Sequence, residues 1–202
     1  PFFLPWCAMH FSPATRLRFA FGYALRHLLI SVCVALVAAL FVFGLLYPPP
    51  FSSILGVGSI FFLLLAVAVV CGPLLTLVLA TPSKSLRERW VDFSLVGLVQ
   101  VAALLYGLHS LWAARPVVLA FEVDRLVIAS ANEVQTETLS QAPAELQSLP
   151  WWGVLQVGTR KAKDSNEFFE SMNLGLGGIT PAMRPHWWLP WDSAQAGIQE
   201  RA

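Results

Sequence analysis

Long apolar stretches separated by short polar segments dominate the first half of the chain. The segment from Leu28 to Ser83 contains no Asp, Glu, Lys or Arg. A helix needs about 20 apolar residues to cross the hydrocarbon core of a bilayer. The pattern therefore predicts three membrane-spanning helices, over Leu28–Tyr47, Ile54–Leu79 and Phe93–Trp112.

Prolines indicate where these helices begin, end or bend. Ser12 followed by Pro13 is typical of a helix N-terminus, so the first helix is predicted to extend back to Pro13. The prolines after Tyr47 end that helix, because proline supplies no backbone donor. Pro73 inside the second helix predicts a kink that serves helix packing, with a hinge or partner-binding notch as the alternative.

Polar and small residues inside the apolar stretches indicate where helices meet. Gln100 is expected to make a helix–helix hydrogen bond, because polar groups in a membrane usually face other helices. Ser31, Ala35 and Ala39 are spaced by four and form a small-residue stripe that permits close helix approach. This stripe is interpreted as packing within the chain, with a partner's helix as the alternative.

Basic residues in the short flanking segments predict the orientation in the membrane. The loop at Tyr47–Ser53 contains no Lys or Arg, whereas the N-terminal flank and the second loop are basic. Cytoplasmic loops are enriched in Lys and Arg, so both basic segments are predicted to be cytoplasmic and the C-terminal domain periplasmic. The residues that carry this prediction are Arg16, Arg18, Arg26, Lys84, Arg87 and Arg89.

The C-terminal segment has the pattern of a small α+β domain. Short β-branched runs predict strands, and Phe168, Phe169 and Met172 at helical spacing predict a helix capped by Asp164 or Ser165. Two strands, or one long bent strand, are expected over Val117–Val123 and Leu126–Ala129, and a further strand over Gly153–Gly158. A short helix interrupted by Pro143 is expected over Thr138–Leu149, and a helix over Ser165–Leu174. The aromatic tail Pro185–Trp191 has no clear period, and it is expected to supply core or to pack on the membrane face.

The fold class is therefore a membrane α-helical protein with a small periplasmic α+β domain. Residues 1–12 form an N-terminal extension to which no function is assigned, residues 13–113 the three-helix region, and residues 114–202 the periplasmic domain. Only 12% of the 202 residues are charged, about half the usual share of roughly 25%. From Arg115 onward ten acidic residues outnumber seven basic ones, which argues against nucleic acid as a partner.

The sequence contains little that resembles a catalytic or metal site. Glu122 and Asp124 are two apart, which on a strand places both carboxylates on one face, where they could bind a cation or transfer protons. A solvated face or an ion pair with Arg125 or Arg115 is the favoured interpretation. His186 alone cannot form a metal site, so no catalytic residue, metal or cofactor is predicted.

Several motifs resemble the TfpX/TfpZ family of type IV pilin accessory proteins, and together they cover the chain from about Arg16 to Asp192. The sequences concerned are Tyr47-Pro48-Pro49-Pro50-Phe51, Gly72-Pro73-Leu74-Leu75-Thr76-Leu77-Val78, Ala114-Arg115-Pro116, Phe121-Glu122-Val123-Asp124-Arg125, Leu149-Pro150 with Gly153, and the tail from Arg184-Pro185 to Pro190-Trp191-Asp192.

The resemblance implies a bacterial inner-membrane accessory factor that acts as a chaperone or modulator of pilin assembly. The expected partners are a type IV pilin and membrane lipid, with no small-molecule substrate. The family supplies no catalytic residues, so the matching positions are candidates for partner contact only. These are Pro48, Pro49, Gly72, Pro73, Thr76, Arg115, Pro116, Glu122, Asp124 and Arg125.

Two other functions stay open at this stage. An envelope enzyme that modifies pilin or a lipid-linked sugar would use Glu122, Asp124 or His186. A membrane sensor would bind a ligand with its external domain, but the loop over Thr81–Asp92 is too short to hold a cytoplasmic output domain.

Overall fold

Three long helices confirm the membrane-spanning part of the prediction. The computed structural model describes residues 13–199, and the N-terminal extension lies outside these described residues. Each long helix is apolar and long enough to cross a membrane. The helices are α1 (Pro13–Phe41, continued by a π-helical turn over Val42–Leu46), a short α2 (Phe51–Ile54), α3 (Val57–Leu79) and α4 (Leu86–Ala113).

The described residues form two compact units. The helix unit contains residues 13–39 and Gly56–Leu108, and the sheet unit contains Leu40–Leu55 and residues 109–199. The sheet unit thus includes the last turns of α1 and α4 as well as the C-terminal domain.

Helix α4 begins seven residues before the predicted start at Phe93 because its polar first turn is capped. The Ser85 amide donates to the Glu88 carboxylate at 2.9 Å, and the Glu88 amide donates to the Ser85 hydroxyl at 3.3 Å. This reciprocal capping box satisfies backbone donors that an uncapped turn leaves free. Lys84 also pairs with Asp92 at 2.5 Å across the same turn.

One face of α1 packs inside the helix unit, and the other residues of this helix from Leu28 onward are apolar and mostly exposed. Ser31 and Ala35 of the predicted stripe are buried, together with Ala20, Ala24 and Ala38. This confirms the interpretation that Ser31 and Ala35 pack within the chain. The exposed side chains of all three helices are mostly Leu, Val, Ile and Phe, as expected of a surface that faces lipid.

The sheet of the second unit has the strand order β2-β1-β3-β4. Strands β1 (Pro116–Glu122) and β2 (Arg125–Ser130) form an antiparallel hairpin, which confirms two strands over one long bent strand. Strand β3 (Leu155–Thr159) pairs with β1 in parallel, and β4 (Trp188–Pro190) pairs antiparallel with β3. The aromatic tail thus supplies a strand that its sequence pattern did not predict.

The core of the sheet unit is built from the hairpin, β3 and the tail. Val117, Val118 and Val157 are fully buried, and Trp188 is 2% exposed with its indole N–H donating to the Ala182 carbonyl at 3.0 Å. The tail therefore contributes to the core, which is one of the two roles expected for it from the sequence.

The helices of the sheet unit partly match the prediction. Instead of one interrupted helix near Pro143 there are two 3-10 helices, Thr136–Gln141 and Ala144–Leu146, since proline cannot continue a hydrogen-bonded turn. Helix α5 (Ser165–Leu176) is confirmed, and the Asp164 side chain accepts from the Glu167 amide at 2.8 Å as its N-cap. Helix α6 (Asp192–Gln199) follows β4 and packs against β3.

Candidate functional site

A cluster of polar side chains joins all three helices of the helix unit. His27 of α1 lies 2.6 Å from the Thr76 hydroxyl (Nδ1 to Oγ1) and 2.8 Å from the Gln100 amide oxygen (Nε2 to Oε1). The Gln100 amide nitrogen donates to the Ser31 hydroxyl at 3.1 Å and to the Ala68 carbonyl at 2.8 Å. The expected helix–helix hydrogen bond of Gln100 is confirmed, and it is one of several.

The hydrogen-bond partners assign the protons of this polar cluster. A carbonyl only accepts, so the Gln100 group that faces Ala68 is its NH2 and its oxygen faces His27. The His27 Nε2 therefore carries a proton, and its Nδ1 accepts from the Thr76 hydroxyl. A neutral imidazole thus has both nitrogens satisfied, which removes the cost of an unpaired polar group in an apolar surrounding.

Gly72 leaves the space that the Gln100 side chain occupies at the centre of the polar cluster. A Cβ atom at this position would lie 2.9 Å from Gln100 Cδ, and its nearest neighbours would all be Gln100 atoms. Thr76 follows one turn later on α3 and is 2% exposed. The structure thus brings two of the predicted positions, Gly72 and Thr76, into one site, with Pro73 beside them inside a continuous α3.

A cavity of about 140 Å³ adjoins the polar cluster within the helix unit. Each helix contributes a small residue to its lining: Ala35 from α1, Ala68 from α3 and Gly97 from α4. Small residues let backbones approach closely, which is how helices associate in lipid. The cavity can therefore accept side chains from a helix face that packs against it.

A second group of predicted positions lies where α4 ends and β1 begins. Arg115 is 7% exposed, and its guanidinium donates to the Trp112 carbonyl at 2.9 Å and to the Pro150 carbonyl at 3.2 Å. Its central carbon lies 4.4 Å from the Trp112 ring centroid. Tyr47, just before Pro48 and Pro49, donates to the Leu111 carbonyl at 3.0 Å. Arg115 and Tyr47 thus satisfy carbonyls that the end of α4 leaves free.

The predicted strand-face pair of Glu122 and Asp124 is wrong. Glu122 ends β1 and is 5% exposed, accepting from the Ala182 amide at 2.6 Å, whereas Asp124 lies exposed in the two-residue turn before Arg125. The turn separates the two carboxylates because Val123 adopts a φ of +47°, which reverses the chain. The expected ion pair with Arg115 or Arg125 is also wrong, since Glu122 binds a backbone amide and Arg115 binds carbonyls.

A groove beside α5 contains charged residues that the sequence did not single out. It has a volume of about 930 Å³, with exposed Phe168 and Met172 along one wall. Near its base the ring centroid of Trp187 lies 4.3 Å from the guanidinium carbon of Arg184 and 4.4 Å from that of Arg160. No local pattern marks these residues, because their contacts join the tail to the segment before α5.

The pKa values of two groups near this groove, Glu167 and His186, are lowered by different causes. Hydrogen bonding by Arg160 lowers the pKa of Glu167 to about 2. Burial, with Arg184 and Arg160 nearby, lowers the pKa of His186 below its ordinary value. His186 is therefore held neutral in the folded sheet unit.

We expect acid to destabilise the sheet unit through His186. Because its folded pKa lies below the unfolded value of 6.5, stability is constant above pH 6.5 and falls as the pH drops below it. Thermal unfolding of the detergent-solubilised chain between pH 8 and pH 5, followed by circular dichroism, measures this fall in Tm. The His186→Gln variant should show a smaller fall in Tm over this pH range. An unchanged dependence of Tm on pH would contradict the assignment of the fall to His186. Glu167 stays ionised throughout this range.

In the part of the chain that the structure describes, no group of three His, Cys, Asp or Glu side chains is placed to hold a metal. His27 is the functional candidate that sequence reasoning missed. The pattern that could have indicated it is its position four residues before Ser31, which places both side chains on one helix face.

The fold and these sites define a multi-pass membrane protein with a small sheet domain. Comparison with known proteins identifies its family. Residues 15–56 match the family described as "Fimbrial assembly protein FimB". Two similar proteins of Dichelobacter nodosus, "Fimbrial assembly protein, serogroup I" and "serogroup E1", are 35% and 36% identical to it over 176 residues, 87% of this chain and 68% of each relative. The chain therefore belongs to the fimbrial assembly protein family.

A third relative from the same organism supports this assignment over a shorter stretch. "Fimbrial assembly protein, serogroups C1 and C2" is 40% identical over 116 residues, 57% of this chain and 88% of the relative. No solved structure matches the chain.

Proposed function

We propose that the chain is an inner-membrane accessory protein that serves type IV pilin assembly as a chaperone or modulator and not as an enzyme. The fimbrial assembly names of its relatives support this role. The motifs around Pro48, Gly72 and Arg115, which resemble the TfpX/TfpZ family, support a pilin as the partner.

The proposed topology places the N-terminus and the α3–α4 loop in the cytoplasm. Six basic residues flank the helices on that side, and the loop after Tyr47 has none. Residues 13–113 then form the membrane region, and residues 114–202 form the periplasmic domain. A pilin that waits in the membrane as one apolar helix with a periplasmic head meets both parts.

The cavity beside the polar cluster carries the proposal. Its lining by Ala35, Ala68 and Gly97 fits an apolar helix that approaches closely, and the surrounding surface of all three helices is already exposed to lipid. Helix association in lipid depends on such packing, because lipid and Leu side chains are equally apolar. We infer that the pilin's membrane helix packs here and that the groove beside α5 is available to its head.

Site-specific photo-crosslinking in cells that produce the cognate pilin tests this arrangement. A photoreactive residue at Val34, which lines the cavity and is 43% exposed, should give a covalent adduct with pilin. Leu36 on the same helix is 61% exposed and lies outside the cavity lining, so it is the matched control. Absence of a pilin adduct at Val34, or equal yields at both positions in equally abundant proteins, would argue against the proposal.

A further inference from the structure

Two adjacent tryptophans of the sheet unit are exposed at the tip of a loop. Trp151 is 67% exposed and Trp152 is 68% exposed. Gly153 follows with a φ of +79°, and apart from this residue and its two chain neighbours no heavy atom lies within 4 Å of the position that a Cβ would take. The protein therefore leaves this tip uncovered, and a large exposed aromatic pair usually marks an interaction surface.

Contacts within the sheet unit place this loop at the end of a membrane-spanning helix. The Trp151 ring centroid lies 5.9 Å from that of Trp112, which belongs to the last turn of α4. Arg115 holds the arrangement by binding the carbonyls of both Trp112 and Pro150. The loop is thus held beside the C-terminal end of α4.

The composition of the loop fits entry into the interfacial layer of a bilayer. From Leu146 to Thr159 the chain contains no charged residue, although the surrounding domain is acidic. Burying this segment among headgroups therefore carries no charge-desolvation cost. Tryptophan is enriched at membrane–water interfaces, because its ring is apolar and its N–H finds a polar partner there.

We propose that Trp151 and Trp152 insert into the interface of the same bilayer that α4 spans, so that the sheet unit has a second membrane contact besides its covalent link. The lipid interface is the occupant of this surface because the pair continues the aromatic residues at the end of α4. This inference requires only that α4 spans the membrane, and it is independent of the pilin.

Fluorescence of a label at the loop tip tests the proposal in the full chain. After replacement of Cys7, Cys33 and Cys71, Trp152→Cys is labelled with an NBD dye and reconstituted in vesicles of phosphatidylethanolamine and phosphatidylglycerol. The emission should shift to the blue and lose intensity when nitroxide-labelled lipid is included. Since only this protein and lipid are present, a partner protein cannot cause the shift.

The matched control is Asp124→Cys in the exposed turn after β1. Strand β1 has seven residues, so this turn lies roughly 20 Å along the strand from Arg115. Its label should emit as in water and resist quenching. Water-like emission at position 152, or equal quenching at both positions, overturns the proposal. Trp152→Phe provides a check without a label, since it should reduce quenching of the intrinsic fluorescence by brominated lipid.

Discussion

Replacing Gly72 with alanine is expected to destabilise the helix unit by about 2 kcal/mol. Overpacking usually costs roughly 1–3 kcal/mol, and the hydrogen bonds of Gln100 would also weaken. The better helix propensity of alanine offsets part of this loss. The new Cβ would occupy the space of the Gln100 amide, displacing the group that binds His27, Ser31 and Ala68. Unfolding of the purified chain by titration with a denaturing detergent, followed by circular dichroism, measures the change.

Two comparisons separate this steric effect from a general effect of alanine in α3. Gly58→Ala in the same helix has no heavy atom within 4 Å of its Cβ, so its stability should stay constant or rise. In a Gln100→Ala background the cost of Gly72→Ala should disappear, because the nearest atoms to the new Cβ all belong to Gln100. Additive costs in the double variant would contradict the packing shown here.

Replacing Arg115 with leucine is expected to lower the stability of the sheet unit by about 3 kcal/mol, because hydrogen bonds to charged groups contribute roughly 1.5–3 kcal/mol each and two carbonyls lose the guanidinium as donor. The Trp112 carbonyl keeps only the Arg115 backbone amide, at 3.3 Å. Burial lowers the pKa of Arg115, but the guanidinium stays charged at neutral pH. Arg115→Lys should restore only part of the loss, since an ammonium group lacks the planar fork that reaches both carbonyls. Thermal unfolding by tryptophan fluorescence provides the readout.

An exposed arginine in the same unit controls for the loss of positive charge. Arg125→Leu should change stability by no more than about 0.5 kcal/mol, as is usual for surface positions. Tyr47→Phe removes the single hydrogen bond to the Leu111 carbonyl and should cost about 1 kcal/mol. Equal losses from Arg115→Leu and Arg125→Leu would show that the carbonyl contacts contribute nothing.

Local chemistry explains which parts of the fold the sequence could predict. A charge-free run determines a membrane helix by itself, and the Asp164 cap acts within three residues of its partner, so both were predictable. Gln100 was expected to bond another helix, but its partner His27 is separated from it by 73 positions. Nothing in either local pattern identifies that pairing.

The sheet and its site also depend on contacts between residues that lie far apart in the sequence. Short β-branched, apolar runs indicated β1 and β3 as strands, yet their parallel pairing and the addition of β4 join segments far apart in the chain. Glu122 and Asp124 were misplaced because the turn between them depends on a backbone conformation that is rare for valine. The stacking of Arg160 and Arg184 on Trp187 likewise exists only once the tail has folded back.

The strand order determines when the sheet unit can fold during biosynthesis. Strand β3 lies between β1 and β4, and the core includes Trp188, so the hairpin of β1 and β2 emerges well before the segment that completes the sheet. An isolated hairpin is marginally stable at best, and an unpaired strand edge invites aggregation. Folding must therefore wait until translation has passed Pro190, by which time the three helices have already entered the bilayer. We expect nascent chains that stop before Trp188 to be membrane-inserted but to have an unfolded sheet unit, and hence to be degraded by proteases.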